Sequence, residues 1–475
     1  MTLLWTPGTM GASPLLPLCG SHYPLMLFPL VLACSYSPAL PIDTTTLQED
    51  PRPTNIVLIL TDDQGYGDLS CYGHPTIRTP NLDALAAQGR KFTSFYVGAP
   101  VCTPSRAAIM TGCYPKRVGL EKSVIFPADD HGLHPDETTI AEVLRERGYA
   151  TGCFGKWHLG HRQGLLPTNQ GFDTFFGVPY SNDMAQQHRP AKNGYEFRLP
   201  LMRGEQVIEW EPDQHHLTRR YTEEALTFID QYKDGPFFLY LAHSMPHIPL
   251  FASEDFEGQS PRGLYGDVIE EIDWSVGQVV RALERNDIQS DTLVLFTSDN
   301  GPWLQFKLKG GSAGLLRGGK GTNWEGGQRV PLLACWPGHI PAASMCREVV
   351  SAMDFLPTIA GLTGARLPSD VLLDGHDVTS LLCAVDGARS PTEEFLYYAK
   401  SGDLTAMRSG PWKLFLKTGE LYHLERDPGE QFEASQENEE LVAEMRSRAL
   451  ALDEGLTATA RPVMHVDATL FDPHK

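Results

Sequence analysis

The strongest constraint on this chain's fold is an alternation of helical and apolar segments. "TPNLDALAAQG", "TTIAEVLRERGYATGCFGKWHLG", "RRYTEEALTFIDQYKDGPFFLYLAHSM" and "DVIEEIDWSVGQVVRALERNDIQSDTLVLFTSDNG" each open with a helical pattern, and the last three run on into a short apolar strand. "NIVLIL" (Asn55 to Leu60) precedes them as a continuous apolar run of the kind a strand buried on both faces requires. Repeated helix and strand units predict an α/β fold: a large, mostly parallel central sheet flanked by helices. In the first helix Thr79 is expected to cap, Pro80 to sit at the first position and Gly89 to close. From about Ser390 the texture changes to short alternating runs separated by Gly, Pro and Asp, followed by an acidic helix near Asn438 to Leu452. This predicts a smaller antiparallel sheet with a helix at the C-terminal end.

Composition narrows the class. The chain has 475 residues, 41% hydrophobic and 21% charged, as an enzyme-sized globular protein does. A formal charge of -20 argues against nucleic acid as a partner, since phosphate-backbone binding is driven by Lys and Arg. The nine cysteines include no C-x-x-C pair, so neither a disulfide scaffold nor a paired zinc site is expected. The apolar run from about Leu25 to Ala33 is too short to span a bilayer and reads as an export signal within residues 1–40. "VLAC" (Val31 to Cys34) loosely resembles a lipoprotein cleavage site, so membrane contact is expected only through a lipid on Cys34. Residues 41–53 read as a linker, 54–389 as a catalytic domain and 390–475 as the smaller C-terminal domain. No Asn-x-Ser/Thr acceptor is present, which leans toward a bacterial periplasmic or secreted setting over a glycosylated lysosomal one.

The polar clusters follow the strands, where ligand sites of open α/β sheets lie. "NIVLIL" runs into Asp62 and Asp63, and "DTLVLF" into Asp299 and Asn300. Three carboxylates and an amide with no Cys or His pair suit a hard, oxygen-preferring cation, calcium or magnesium. "PVCTPSRAAIMTG" (Pro100 to Gly112) reads as a helix start with Pro104 at its first position. Cys102 and Arg106 then lie at an anion-favouring helix end. "FGKWHLG", if extended, puts Lys156 and His158 on one face. "HSMPHIP" supplies His243 and His247, and a glycine-rich loop presents Lys320. Singly, each is as readily a cap, a surface lysine or a packed histidine; jointly they suit hydrolysis of a tetrahedral oxyanion ester. "GGSAG" (Gly310 to Gly314) fits G-x-S-x-G but lacks the strand a serine nucleophile needs immediately before it.

"CTPSRAAIMTG", with "NIVLILTDDQGYGDLSCYGHP", "GKWHLG", "PYSND", "FTSDNG", "GKGTNWEGG" and "ELYHLERDPGE", resembles the type I sulfatases, on the arylsulfatase A and N-acetylgalactosamine-6-sulfatase branch. The resemblance implies an alkaline-phosphatase-like fold and hydrolysis of aryl or carbohydrate sulfate monoesters to alcohol and sulfate. It implies that Cys102 is converted to Cα-formylglycine, whose hydrate is the nucleophile, by a formylglycine-generating or anaerobic sulfatase-maturating enzyme. It assigns Asp62, Asp63, Asp299 and Asn300, beside the modified Cys102, to a divalent cation, usually calcium. Arg106 would hold the hydrate, Lys156, Lys320 and Ser181 the sulfate, His158 would act as base, and His247, not His243, would contact the sulfate and protonate the leaving oxygen. Where the signature usually ends in Arg or Lys, this chain has Cys113. The related alternatives are a phosphomonoester or phosphonate ester hydrolase, and an unconverted, calcium-dependent anion-binding protein. The alcohol half of the substrate would be chosen by loops such as Asp183 to Gln214 and Phe251 to Gly266.

Overall fold

The first apolar run forms strand β1 (Asn55–Thr61), buried throughout. Its side chains alternate between two cores: Ile56, Leu58 and Leu60 join one, Val57 and Ile59 the other. A strand that feeds two cores lies in the middle of a sheet covered on both faces. The computed structural model of the protein describes residues 55–185, 197–469 and 471. Residues 1–40 with Cys34, read above as an export signal, residues 41–53, read as a linker, and residues 186–196 of the loop after Asp183 lie outside the described residues.

The central sheet has ten strands. After β1 they are β2 (Arg90–Phe92), β3 (Ala150–Lys156), β4 (Thr174–Val178), β5 (Pro200–Arg203), β6 (Gln206–Trp210), β7 (Phe237–Ala242), β8 (Thr292–Ser298), β9 (Leu332–Cys335) and β10 (Ser344–Cys346). Across the sheet the order is β10-β2-β9-β8-β1-β7-β3-β4-β5-β6. The five central strands, β8-β1-β7-β3-β4, are all parallel. On either side the sheet continues through antiparallel pairs, β8 with β9 and β4 with β5. The mostly parallel α/β sheet expected from the pattern is therefore present.

Helices α1 (Pro80–Gln88), α2 (Cys102–Thr111), α3 (Ile140–Glu146), α4 (Leu217–Tyr232), α5 (Leu264–Arg285), α6 (Phe355–Thr363) and α7 (Glu439–Ala458) complete the described layers. Apolar faces of α1, α4 and α5 cover one side of the sheet, and those of α2, α3 and α6 the other. Burial of each such Leu, Ile or Phe contributes about 1.5–3 kcal/mol. The C-terminal part forms an antiparallel sheet of β11 (Glu394–Tyr398), β12 (Leu404–Ser409), β13 (Trp412–Phe415) and β14 (Leu421–His423). Its Phe395, Met407 and Leu414 share a core with Tyr96, Ala108 and Met353. No helix among the described residues is long and apolar enough to cross a membrane.

Local details differ from the sequence reading in four places. Helix α2 begins at Cys102, so Pro104 occupies its third position instead of its first. A proline is tolerated there because that amide is among the four a helix start leaves unpaired. The Thr79 hydroxyl makes no cap on the α1 backbone; it pairs with Ser70 and Asp83 side chains. β3 ends at Lys156, and His158 has φ 64, so the two do not share an extended face. Helix α7 runs past Leu452 to Ala458.

Candidate active site

Four neighbouring strands of the sheet, β8, β1, β7 and β3, end side by side, and the chemistry collects there. Register pairs Thr61 with Ser298, so Asp62 and Asp299 leave the sheet at the same level. Lys156 is the last residue of β3, and the segment after β7 carries His247. Helix α2 brings Cys102 to its first turn, with all ten residues of the helix buried. The strand ends thus deliver residues up to 237 positions apart, Asp63 and Asn300, into hydrogen-bond contact at 2.7 Å.

The polar contacts are dense. Lys156 Nζ donates to Asp62 Oδ2 at 2.5 Å and to Ser181 Oγ at 3.2 Å. The Cys102 thiol donates to Asp62 Oδ1 at 3.4 Å. Lys320 Nζ lies 2.7 Å from Asp63 Oδ1 and 3.5 Å from Cys102 Sγ. Arg106 donates from Nε to Asp299 Oδ2 at 2.9 Å and from a terminal nitrogen to the Lys156 carbonyl at 2.6 Å. The Asp63 amide donates to Asp299 Oδ1 at 3.1 Å. His247 Nε2 stands 3.6 Å from Asp63 Oδ2, while its Nδ1 meets the Ile248 carbonyl at 2.5 Å. A carbonyl can only accept, so in the neutral ring the Nδ1 carries the proton and Nε2 is the bare nitrogen facing the site.

Electrostatics sorts these groups. Burial alone would raise the Asp62 carboxyl, but Lys156, His247, Arg106 and Lys320 together hold it well below the usual carboxylate range. Asp299 goes the other way, to about 7, because burial and the adjacent Asp62 charge outweigh Arg106. Burial, reinforced by Asp62, pushes the Cys102 thiol well above its ordinary value. As an unmodified thiol it is therefore protonated and a weak nucleophile. Burial and the Lys156 charge depress His158, which stays neutral. Its Nε2 is held on the Ile125 carbonyl at 3.0 Å, and its Nδ1 has no partner among the described residues.

Asp62, Asp63, Cys102 and His247 place ligand atoms within 4.8 Å of one another. The buried Asn300 Oδ1 has no hydrogen-bond partner among the described residues, which leaves an amide oxygen free as a further donor. With the Asp299 carboxylate crowded beside Asp62, the set is oxygen-rich and anionic, and fits a hard divalent cation.

The remaining polar residues singled out in the sequence lie outside this cluster, as expected for His243 and "GGSAG". His243 is fully buried, 3.3 Å from Ser275 Oγ, and desolvation takes it down to about 3. Cys113 packs beyond the C-terminal end of α2, its thiol on the Leu372 carbonyl. The Arg461 guanidinium reaches within 3.5 Å of that sulfur while pairing with Glu137, so a cation arrives there from the far end of the chain. "GGSAG" follows a 3-10 segment, Leu304–Lys309, and lacks the strand that motif needs. Trp303 was no candidate, yet its ring lies 4.4 Å from Lys320 Nζ and 5.5 Å from the His247 ring. Its position just after the "SDNG" strand end was the only signal in the sequence.

A doubly wound sheet whose adjoining strand ends gather carboxylates, lysines and a buried cysteine at a helix start is suited to binding and hydrolysing an anionic tetrahedral ester. The family model described as Sulfatase matches residues 54–365. Arylsulfatase A of Homo sapiens is 42% identical over 425 residues, covering 80% of this chain and 83% of that protein. N-acetylgalactosamine-6-sulfatase of Sus scrofa is 38% identical over 452 residues, covering 85% and 86%. The solved structure of Ps i-CgsB in complex with k-i-k-neocarrahexaose matches with TM-score 0.76 at 32% identity, over 86% of this chain and 94% of that one. The chain belongs to the sulfatase family and is a sulfuric ester hydrolase of the arylsulfatase type. The family implies a formylglycine and a divalent metal, and the cluster around Cys102 fits both.

Proposed function

We propose that this protein cleaves aryl or carbohydrate sulfate monoesters at the site around Cys102, with calcium as its resident ion held by Asp62, Asp63, Asp299 and Asn300. The observation that carries the reading is the placement of Cys102 at the first turn of α2, between the Asp62 carboxylate and the Lys320 ammonium. When in place, the cation and the formylglycine would supply charge neutralisation at sulfate and a hydroxyl nucleophile. Lys156, Lys320 and Ser181 bind the non-bridging sulfate oxygens through donors aimed at developing charge. Arg106, locked onto Asp299 and the Lys156 carbonyl, orients residue 102 against the strand ends. His158 takes up a proton at Nδ1, the ring nitrogen that its Ile125 contact leaves open. His247 gives a proton to the leaving oxygen from Nε2, the nitrogen facing Asp63, and so acts from its imidazolium form, with Nδ1–H still held on the Ile248 carbonyl.

The reading extends to export by residues 1–40 to a periplasmic or secreted setting. It also includes maturation by a formylglycine-installing enzyme, and a catalytic part (54–389) followed by a smaller C-terminal part (390–475). Its test is the mass of the peptide spanning Cys102, from a host able to install formylglycine, alongside turnover of a chromogenic aryl sulfate. An aldehyde mass with turnover is expected. An aldehyde without sulfatase activity but with phosphoester turnover would replace the reading, and an inert thiol would return the site to anion binding.

A further inference from the structure

The sulfate chemistry leaves the terminal motif "ELYHLERDPGE" without a task, although it ends in a fully buried acid, Glu430. The turn after β14 delivers that residue: the Glu430 amide donates to the Asp427 carbonyl at 3.1 Å. The Asp427 carboxylate accepts from the amides of Gln431 and Phe432 at 2.7 Å each. Glu430 sits in the left-handed region at φ 50, which a side chain adopts only when its surroundings hold it there. Its surroundings belong to the Lys320 segment. The Glu430 carbonyl accepts from the Arg317 guanidinium at 2.8 Å, and its carboxylate accepts from the Glu325 amide at 2.7 Å. Lys413 Nζ lies between the two acids, 2.8 Å from Glu430 and 2.9 Å from Glu325.

Arg317 and Glu325 bracket "GGKGTNW", whose Gly318 and Gly321 adopt positive φ. Glycines give such a segment many conformations, and the Lys320 ammonium reaches Asp63 and Cys102 only if the backbone is fixed. Within the segment, the Lys320 amide is tied to the Pro302 carbonyl and the Gly321 amide to that of Pro100. Both ends are tied to Glu430. Arg317 also stacks 3.5 Å over Trp324, whose ring packs on Phe415 of the C-terminal sheet.

We propose that Glu430 is a positioning residue for Lys320: one side chain and its own carbonyl pin both ends of the glycine-rich segment, so the C-terminal sheet sets where the catalytic ammonium stands. The proposal rests on the reading of Lys320 as a sulfate-holding cation. The experiment compares four full-length proteins, wild type, Glu430→Ala, Lys320→Ala and the double variant, on a chromogenic aryl sulfate. Turnover is normalised to the fraction of Cys102 converted, measured by peptide mass. Glu430→Ala should lower kcat between about tenfold and a hundredfold, the range a small misplacement costs. In the Lys320→Ala background the same change should cost less than about twofold, because residues acting as one unit are not additive. Equal losses in both backgrounds, or wild-type turnover of Glu430→Ala, would overturn the proposal. If Glu430→Ala does not fold, Glu430→Gln, which keeps the shape and removes the charge facing Lys413, carries the same comparison. Wild-type turnover of Lys320→Ala would instead overturn the reading of the site, and the proposal with it.

Discussion

Lys320 stands where two demands meet. Burial disfavours its charge, but the Asp63 and Asp62 carboxylates around it more than restore the ammonium. A cation held charged in a water-poor site is worth most when it meets charge that develops during reaction. Lys320→Ala should therefore reduce kcat on an aryl sulfate by about a hundredfold to a thousandfold, checked by steady-state kinetics on the folded variant. Arg106 makes a contrasting case. It is fully buried and its partners, Asp299 and the Lys156 carbonyl, are fixed. Arg106→Met leaves Asp299 without its guanidinium, so a loss of about 3–5 kcal/mol in urea unfolding is expected in addition to lost turnover.

At the scale of elements, the close approach of three strands decides where Lys156 ends up. Gly155 has φ +115, and a Cβ there would lie 1.8 Å from the Ala242 carbonyl oxygen of β7. On the other side Gly177 faces it in register, and a Cβ there would meet the Gly155 carbonyl at the same distance. No side chain fits on β3 or β4 at this level, one residue before the lysine. Gly155→Ala should destabilise the protein by about 3 kcal/mol or more, read from the urea midpoint, because strain and backbone clash add.

On the scale of the whole molecule, 59 acidic against 39 basic residues make buried carboxyls a factor in pH stability. Asp354, at the start of α6, accepts from the amides of Ser351 and His376, and burial pushes its carboxyl up to about 7. Between about pH 4 and 7 the folded state keeps a proton that the unfolded chain has released. The stability this group contributes is thus complete at the low end of that window and is lost as pH rises through it, by up to about 1.4 kcal/mol per pH unit. The urea midpoint should fall more between pH 5 and 7 in wild type than in Asp354→Asn. Parallel slopes would show that Asp354 is ionised in the fold.

What the residues determined alone were features set by local pattern: which runs become strands, that acids follow two of them, and that a helix starts close to Cys102. Apolar runs, glycine stops and helix-start chemistry act over a few residues, so they are legible without a fold. Even there the exact start of α2 and the reach of β3 differed, because tertiary hydrogen bonds settle the ends. Only the tertiary structure decided that β8, β1, β7 and β3 lie side by side, and hence that Asp62, Lys156, His247 and Asp299 share one space while His243 does not. It alone brought Trp303 beside Lys320 and Glu430 under the segment that carries it. Strand order and docking of the C-terminal sheet are settled by burial between segments hundreds of residues apart, and no local run of sequence carries that information.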